Sequence, residues 1–232
     1  MSKNLIRAHC NHCVLRAPLF YLLTENELDI INAHRHEVMY NPGEIISKQG
    51  SPSGHVLSFV MGLAKAHIES KYHKDDLILR LIKPIELLAG PELYNGNSHH
   101  YSVTAITHSH VCFIEQEVFK SVLRSNAAFN EAFLKMNQKR LVESLKKLSG
   151  FYQKQQVGRL AEAILYLQKD IFNENPFKPG ISKVELAALA GISVGSTYKI
   201  LKQFNDDRLV RVNGSEMEVL DFEMLQQVSE RG

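Results

Sequence analysis

The spacing of apolar residues changes twice along this chain of 232 residues. Residues 24–37 place apolar side chains at helical spacing after Thr24, a residue type that caps helix starts well. From residue 38 to residue 115, short β-rich runs alternate with glycine, proline and asparagine, which predicts a β-barrel or a double-sheet roll. Residues 115–150 are almost free of helix-breaking residues and therefore predict a long helix.

One face of this long predicted helix carries leucines at a period of seven residues. Leu134, Leu141 and Leu148 set the period, and Leu145 widens the stripe. Such a repeat is typical of a coiled-coil seam, so we expect these four leucines to pair two copies of the chain. The basic outer face favours this interpretation over the alternative, in which the stripe packs against its own domain.

Two short amphipathic segments separated by a glycine lie near the end of the chain. Ser182 and Glu185 form a capping box at the start of the first segment, and Gly191 is suited to end it. Ser193 is a good N-cap for the second, which buries a stripe of Thr197, Ile200, Leu201 and Phe204. The spacing predicts a helix-turn-helix whose second helix enters a DNA major groove, although an ordinary helical hairpin has a similar pattern.

The start and the outer face of the second helix supply candidate DNA contacts. These residues are Ser193, Val194, Gly195, Ser196, Tyr198, Lys199 and Lys202. Lys199 suits guanine or phosphate, and Ser196 suits a base or phosphate. Residues 209–212 and 217–220 then predict a hairpin with its turn at Asn213-Gly214. A hairpin directly after a recognition helix makes a winged helix, in which Arg211 is a candidate phosphate contact.

Composition narrows the class of protein. The chain is 44% hydrophobic with a net charge of +2, enough apolar content for two modest domains. It lacks a run of about 18 apolar residues, so we expect no membrane span. It also lacks the apolar core of a signal peptide and has an odd number of cysteines. We therefore expect a cytoplasmic protein without a disulfide framework. No phosphate-binding glycine loop or HExxH motif is present, so we expect no enzyme. Because residues 157–232 are slightly acidic, we expect modest non-specific DNA affinity.

A β-roll, a long helix and a winged helix-turn-helix, in this order, resemble the CRP/FNR family of bacterial transcription regulators. The most specific matches are residues 185–201 and the Val-Gly-Arg-Leu-Ala run at 157–161, with Pro42-Gly43-Glu44 and Val111-Cys112-Phe113-Ile114 in the sensor region. The resemblance implies an α+β fold with a double-stranded β-helix of cyclic-nucleotide-binding type. It implies three parts, which are a sensor domain with an N-terminal arm at 1–118, a dimerisation helix and hinge at 119–156, and a winged helix-turn-helix at 157–232.

The function implied by the resemblance is sequence-specific transcription regulation by a homodimer on double-stranded DNA, with RNA polymerase as a further partner. The two recognition helices would read half-sites about 34 Å apart, under control of a signal sensed by the β-roll or by N-terminal cysteines. A redox or gas sensor with an iron–sulfur cluster or haem is one alternative. A ligand-binding regulatory module without DNA function is another.

Two departures from the family pattern affect the ligand and the operator. Ala89-Gly90 and Tyr101-Ser102 stand where the family's cyclic-nucleotide binders carry Gly-Glu and Arg-Ser/Thr. A buried phosphate without an arginine is costly, so we predict that cyclic AMP does not bind tightly. Gly195 and Lys199 stand where the family often carries glutamate and arginine, so the operator should differ from the common family sequence.

The cysteines resemble an incomplete ligand set of the FNR branch. Cys10, Cys13 and Cys112 match three of its four cluster ligands, and Leu19 stands at the position of the fourth. The interpretations left open are a cluster with an unusual fourth ligand, a zinc site shared with His9 or His12, and no metal at all. The chain's eleven histidines also allow haem, although we expect each individual histidine to lie on the surface.

Overall fold

The computed structural model describes residues 9–70, 76–96 and 98–232, which adopt the expected α+β fold. Its helices are α1 (Glu25–Ala33), α2 (Gln116–Ser125), α3 (Ala127–Gln153), α4 (Gln156–Tyr166), α5 (Lys183–Ala190), α6 (Val194–Asp206) and α7 (Phe222–Arg231). Its strands are β1 (Arg35–Tyr40), β2 (Ile45–Ser47), β3 (His55–Met61), β4 (Ala64–Ile68), β5 (Leu77–Ile82), β6 (Glu86–Leu88), β7 (Ser102–Ala105), β8 (Ser109–Glu115), β9 (Val210–Asn213) and β10 (Glu216–Val219).

The chain divides into two compact units. The first contains the described residues of Met1–Ala66 and Ile82–Val142, and the second those of His67–Leu81 and Glu143–Gly232. The β-roll has two four-stranded sheets, in the orders β1-β8-β3-β6 and β2-β7-β4-β5. Side chains alternate along each strand, so one face of the first sheet lines the interior of the roll. That interior is apolar and includes Leu57, Phe59, Ala66, Val103 and Val111.

The other face of the first sheet packs against helices and the N-terminal arm. Val56 and Ile114 share this second apolar core with Cys10, Phe20, Leu28, Ile31, Phe119 and Phe129. Thr24 caps α1 as predicted, because its hydroxyl accepts from the Glu27 backbone N–H and Glu27 accepts from the Thr24 N–H. The prediction of helix to residue 37 is wrong, since residues from Arg35 onward pair with β8.

The long helical segment is interrupted at Asn126, which the sequence pattern did not predict. The Asn126 side chain accepts from the Phe129 N–H at 2.9 Å and donates to the Leu22 carbonyl at 3.0 Å, so it caps the start of α3. Helix α3 then runs unbroken through Gln153, three residues past the end of the helix predicted at 115–150. Only two residues, 154 and 155, separate α3 from α4.

The second unit is built around α4, against which α7 packs. Gly158 lies so close to the backbone of Gly232 that a Cβ there would overlap its carbonyl oxygen. Lys147, near the end of α3, donates to the carbonyls of Ile78 and Leu79 at 2.8 and 2.9 Å. This unit also holds α5, α6 and the β9-β10 hairpin.

Within the described residues, no single helix has the length and apolarity needed to cross a bilayer. Only α5 and α6 added together reach that composition, and they are bent by 95° at the turn between them.

Candidate functional site

The helix-turn-helix is fixed at its turn by Gly191. This glycine has a φ of +63°, in the left-handed region that ends helices, and its N–H donates to the Ala187 carbonyl. A Cβ at Gly191 would lie 2.6 Å from an edge carbon of the Phe151 ring, closer than such contacts occur. The turn sets α5 and α6 at 95°, within the range typical of DNA-binding helix pairs.

The start of α6 is held by a small hydroxyl network. The Ser193 hydroxyl accepts from the Ser196 N–H at 3.1 Å and donates to the Ser196 hydroxyl at 2.9 Å. Thr197 is fully buried, and its hydroxyl donates to the Ser193 carbonyl at 3.1 Å. The two serines predicted as DNA contacts therefore also order the helix end that would face the bases.

The remaining predicted DNA contacts lie on the outer surface of α6. Tyr198 is 58% exposed, and Lys199, Lys202 and Gly195 are exposed beside it. Val194 and Ser196 are half-buried at the first turn. Ile200, Leu201 and Phe204 are buried on the opposite face, as the apolar stripe predicted. Space is open at Gly195, because a Cβ there would meet only the Ser193 hydroxyl at 4.0 Å.

The wing differs from its prediction in two respects. Asn213 pairs with Glu216 in the hairpin, so the turn residues are Gly214 and Ser215, one position later than expected. Arg211 lies directly opposite Glu218 and donates to its carboxylate at 2.8 Å, although the Arg211 side chain is 58% exposed. The candidate phosphate contact is therefore already paired with an acid. A turn at Gly214 and Ser215 places Arg211 opposite Glu218, so a correct prediction of the turn would also have predicted this ion pair.

The leucine stripe of α3 faces outward. Leu134, Leu141, Leu145 and Leu148 are between 52% and 65% exposed. The same seam continues to Tyr152, which the heptad pattern did not predict and which is the most exposed large hydrophobic side chain of the helix. Phe129 and Phe133, on the other face, are buried. The exposed seam is thus distinct from the face that α3 packs against its own unit.

One of the predicted ligand-pocket residues, Gly90, lies against an acidic side chain. Ala89 and Ser102 are buried, and the Ser102 hydroxyl accepts from the Gln49 N–H at 2.8 Å. The Gly90 N–H donates to Glu92 Oε1 at 3.2 Å, while the buried Oε2 of Glu92 has no hydrogen-bond partner among the described residues. Tyr101 packs against the apolar interior of the roll. Sequence reasoning missed Glu92, because it compared only aligned positions.

His99 lies beside the same carboxylate, with its Nδ1 3.9 Å from Glu92 Oε1. Burial lowers the pKa of His99 below its ordinary value, although the nearby Glu92 acts in the opposite direction. His99 is consequently a neutral side chain at pH 7 and supplies no compensating positive charge. A carboxylate rather than a cation borders the Gly90 N–H, and this environment repels a phosphate.

Cys10 and Cys112 lie beside Arg35, and Cys13 lies close enough to both thiols to interact with them electrostatically. One Arg35 Nη donates to Cys112 Sγ at 3.4 Å and also to Glu37. Burial raises the pKa of Cys112 to about 12 and raises that of Cys10, even though Arg35 lowers both. Leu19, at the fourth position of the family's cluster set, packs against the apolar core. With Leu19 at the fourth position and the Arg35 guanidinium beside Cys112, these residues do not supply the four thiolates of an iron–sulfur cluster.

The expectation that each histidine lies on the surface is wrong for His110 and His67. His110 is only 2% exposed and bonds to Glu37 Oε2 at 2.9 Å through its Nε2. His67, in the second unit, is buried and pairs with Asp76 at 2.9 Å. Both histidines pair with acids that lie elsewhere in the sequence, so the spacing between histidines could not predict these partners.

Comparisons with known proteins agree with the geometry of both units. Residues 37–126 match the cyclic nucleotide-binding domain, and residues 158–228 match the Crp-like helix-turn-helix domain. Between them, the two matches cover more than half of the chain. A search of curated proteins found no match.

Solved structures of similar fold cover most of this chain. FixK2 from Bradyrhizobium japonicum is 15% identical, with a TM-score of 0.75 over 84% of this chain and 96% of that chain. A putative transcriptional regulator of the crp/fnr family from Eubacterium rectale ATCC 33656 is 16% identical, with a TM-score of 0.74 over 92% and 98%. The c-di-GMP responsive regulator CLP from Xanthomonas campestris is 18% identical, with a TM-score of 0.72 over 85% and 100%.

The fold and the two domain matches define a DNA-binding regulator with an N-terminal domain of cyclic-nucleotide-binding type. The chain belongs to the CRP/FNR family of transcription regulators, which are not enzymes.

Proposed function

We propose that two copies of this chain pair through α3 and bind a two-fold symmetric operator with their α6 helices. In this proposal residues 1–118 sense a signal, residues 119–156 dimerise, and residues 157–232 bind DNA. The observation that carries the proposal is the surface of α6, where Tyr198, Lys199 and Lys202 are exposed on a helix whose opposite face is buried.

The seam on α3 supports the homodimer. Its exposed leucines follow one another at steps of seven, four and three residues along one helix, from Leu134 through Leu141 and Leu145 to Leu148. The exposed stripe is unfavourable in water, because burying a leucine side chain at an interface stabilises the complex by up to roughly 1.5–3 kcal/mol. Pairing with the same stripe of a second chain removes it from water and places two α6 helices under one symmetry axis.

Base recognition rests mainly on Tyr198 and Lys199. Lys199 reaches guanine or a phosphate, and Tyr198 offers its ring to a thymine methyl or its hydroxyl to the backbone. Gly195 contributes no side chain, so the acceptor that a glutamate would offer to cytosine is missing at this position. The wing contributes little affinity, because Arg211 must give up Glu218 before it binds a phosphate.

The signal is not cyclic AMP in this proposal, because Glu92 borders the Gly90 N–H and the neighbouring His99 is neutral. Once bound at its operator, the dimer acts on RNA polymerase, as a regulator of this class does at a promoter.

The test compares two lysine-to-alanine variants that change the net charge equally. Lys199→Ala should weaken binding to the DNA upstream of the protein's own gene by roughly 10-fold or more, since one guanine contact is worth about 1–3 kcal/mol. Lys178→Ala, at an exposed position outside α6, should change affinity much less. Fluorescence anisotropy measures both. Equal losses for the two variants would contradict the assignment of α6 as the reading helix.

A further inference from the structure

Three side chains with metal-ligating atoms meet on the outer face of the first sheet. Glu37 on β1 lies directly opposite Cys112 on β8, and His110 lies two residues before Cys112. Residues two apart share a face of a strand, so all three side chains project to the same side. A carboxylate oxygen, an imidazole nitrogen and the thiol sulfur lie within 4.8 Å of one another.

The three groups are already oriented by hydrogen bonds. His110 Nε2 lies 2.9 Å from Glu37 Oε2, and the other carboxylate oxygen accepts from Arg35. Arg35 also donates to Cys112 Sγ at 3.4 Å. A cleft of about 540 Å³ opens onto Glu37 and His110 and is also lined by His9 and His36. A small ion therefore has a route to a pocket whose ligands are otherwise mostly buried.

We propose that Glu37, His110 and Cys112 bind one divalent transition-metal ion, with Zn²⁺ as the preferred ion. Imidazole, thiolate and carboxylate are the three ligand types of protein zinc sites, whereas Ca²⁺ and Mg²⁺ require oxygen ligands. Around a tetrahedral zinc ion, ligand atoms lie roughly 3.4–3.8 Å apart, so closure needs movements on the order of 1 Å. The cleft leaves the fourth position to water or an exogenous ligand.

Binding conserves charge and protons in a simple way. The ion takes Nε2 of His110, one oxygen of Glu37 and the thiolate of Cys112. The Cys112 proton passes to solvent, and the proton that His110 Nε2 donates to Glu37 moves to Nδ1 or, where Nδ1 already carries one, to solvent. The resulting site, with two anionic ligands and Zn²⁺, is neutral. Arg35 keeps its hydrogen bond to the outer oxygen of Glu37, the role that outer-shell donors have in orienting metal ligands.

The site differs from the set of three cysteines. It shares only Cys112 with that set and does not require Cys10 or Cys13. Without metal, Arg35, Glu37 and His110 form a hydrogen-bonded network. If the three groups form only this network, a metal titration should show no binding. If they form a metal site, it should show one ion per chain, so a titration distinguishes the two interpretations.

The test titrates Co²⁺ and then Zn²⁺ into the full-length, reduced, chelator-treated protein. We expect one Co²⁺ per chain with a thiolate-to-cobalt charge-transfer band that Zn²⁺ displaces. Cys112→Ser should abolish the band, and His110→Gln and Glu37→Gln should each weaken Zn²⁺ binding by at least about 10–100-fold. The matched control is Cys10→Ser/Cys13→Ser, which should retain the band and its affinity.

The same double variant provides a second readout, because Cys112 is then the sole cysteine of the chain. Zn²⁺ should slow the alkylation of Cys112 in this variant, and circular dichroism confirms that each variant is folded. Absence of the band in the wild-type protein would overturn the proposal. Loss of the band in Cys10→Ser/Cys13→Ser, with His110→Gln unaffected, would also overturn it and assign the metal to the cysteines.

Discussion

The exposed face of α6 and the space beside Gly90 have opposite electrostatic character. On α6, Lys199 and Lys202 stand in solvent and favour a polyanion. Beside Gly90, a buried carboxylate of Glu92 takes the backbone N–H that an anionic ligand would need. In our proposal, the chain therefore favours a polyanion at α6 and disfavours an anionic ligand beside Gly90. The packed cores preserve the fold, while single residues at each site decide what binds.

The largest expected effect concerns the turn that holds α6 in place. Gly191→Val should destabilise the DNA-binding unit by about 3 kcal/mol or more, because a β-branched residue is strained at this φ and would overlap Phe151. Thermal unfolding measures the loss. Gly195→Ala is the matched control and should be neutral or up to about 1 kcal/mol stabilising, since its Cβ meets open space. A stable, DNA-binding Gly191→Val protein would contradict the account.

The next effect separates the seam from the remaining surface of α3. Leu141→Glu/Leu148→Glu should convert the protein to a monomer, because charge on both chains would face itself across the interface. Sedimentation velocity reports the change. Lys146→Glu, an exposed position on the same helix outside the seam, should remain dimeric. If the double variant stays dimeric, another surface pairs the chains.

A smaller effect concerns pH and the second unit. Burial lowers the pKa of Lys147 to about 8, below its ordinary 10.5, so between these values the unfolded chain binds more protons than the folded chain. The free energy of unfolding should therefore rise by up to about 3 kcal/mol from pH 8 to pH 10.5, relative to Lys147→Met. Urea unfolding at several pH values checks this. An unchanged difference would show that the carbonyls of Ile78 and Leu79 hold the ammonium charged.

The smallest expected signal tests the sensor domain. Calorimetry should detect no binding of cyclic AMP to the wild-type protein, because Glu92 repels a phosphate at Gly90. Glu92→Gln removes that charge and should permit only weak binding, since no arginine is added. Micromolar affinity in the wild-type protein would refute the contrast between the two sites.

Local patterns and long-range pairing differ in how well they could be predicted from sequence. The capping box at Ser182, the glycine at 191 and the stripe through Phe204 act within a few residues, so their signals are visible in the chain. The partners of His110 and Arg211 depend on strand register, and the pair of His110 and Glu37 lies 73 positions apart in the chain. The end of α1 was misplaced for the same reason, because pairing with β8 overrides helical spacing after residue 34.

The most direct test of the central claim is a hydroxyl-radical footprint of the full-length protein on the DNA upstream of its gene. The account predicts two equally protected segments on one face of the duplex, about 34 Å or one helical turn apart, one for each α6. Both segments should disappear in Leu141→Glu/Leu148→Glu at the same protein concentration. A single protected segment, or protection that persists in that variant, would contradict a dimer that reads two half-sites.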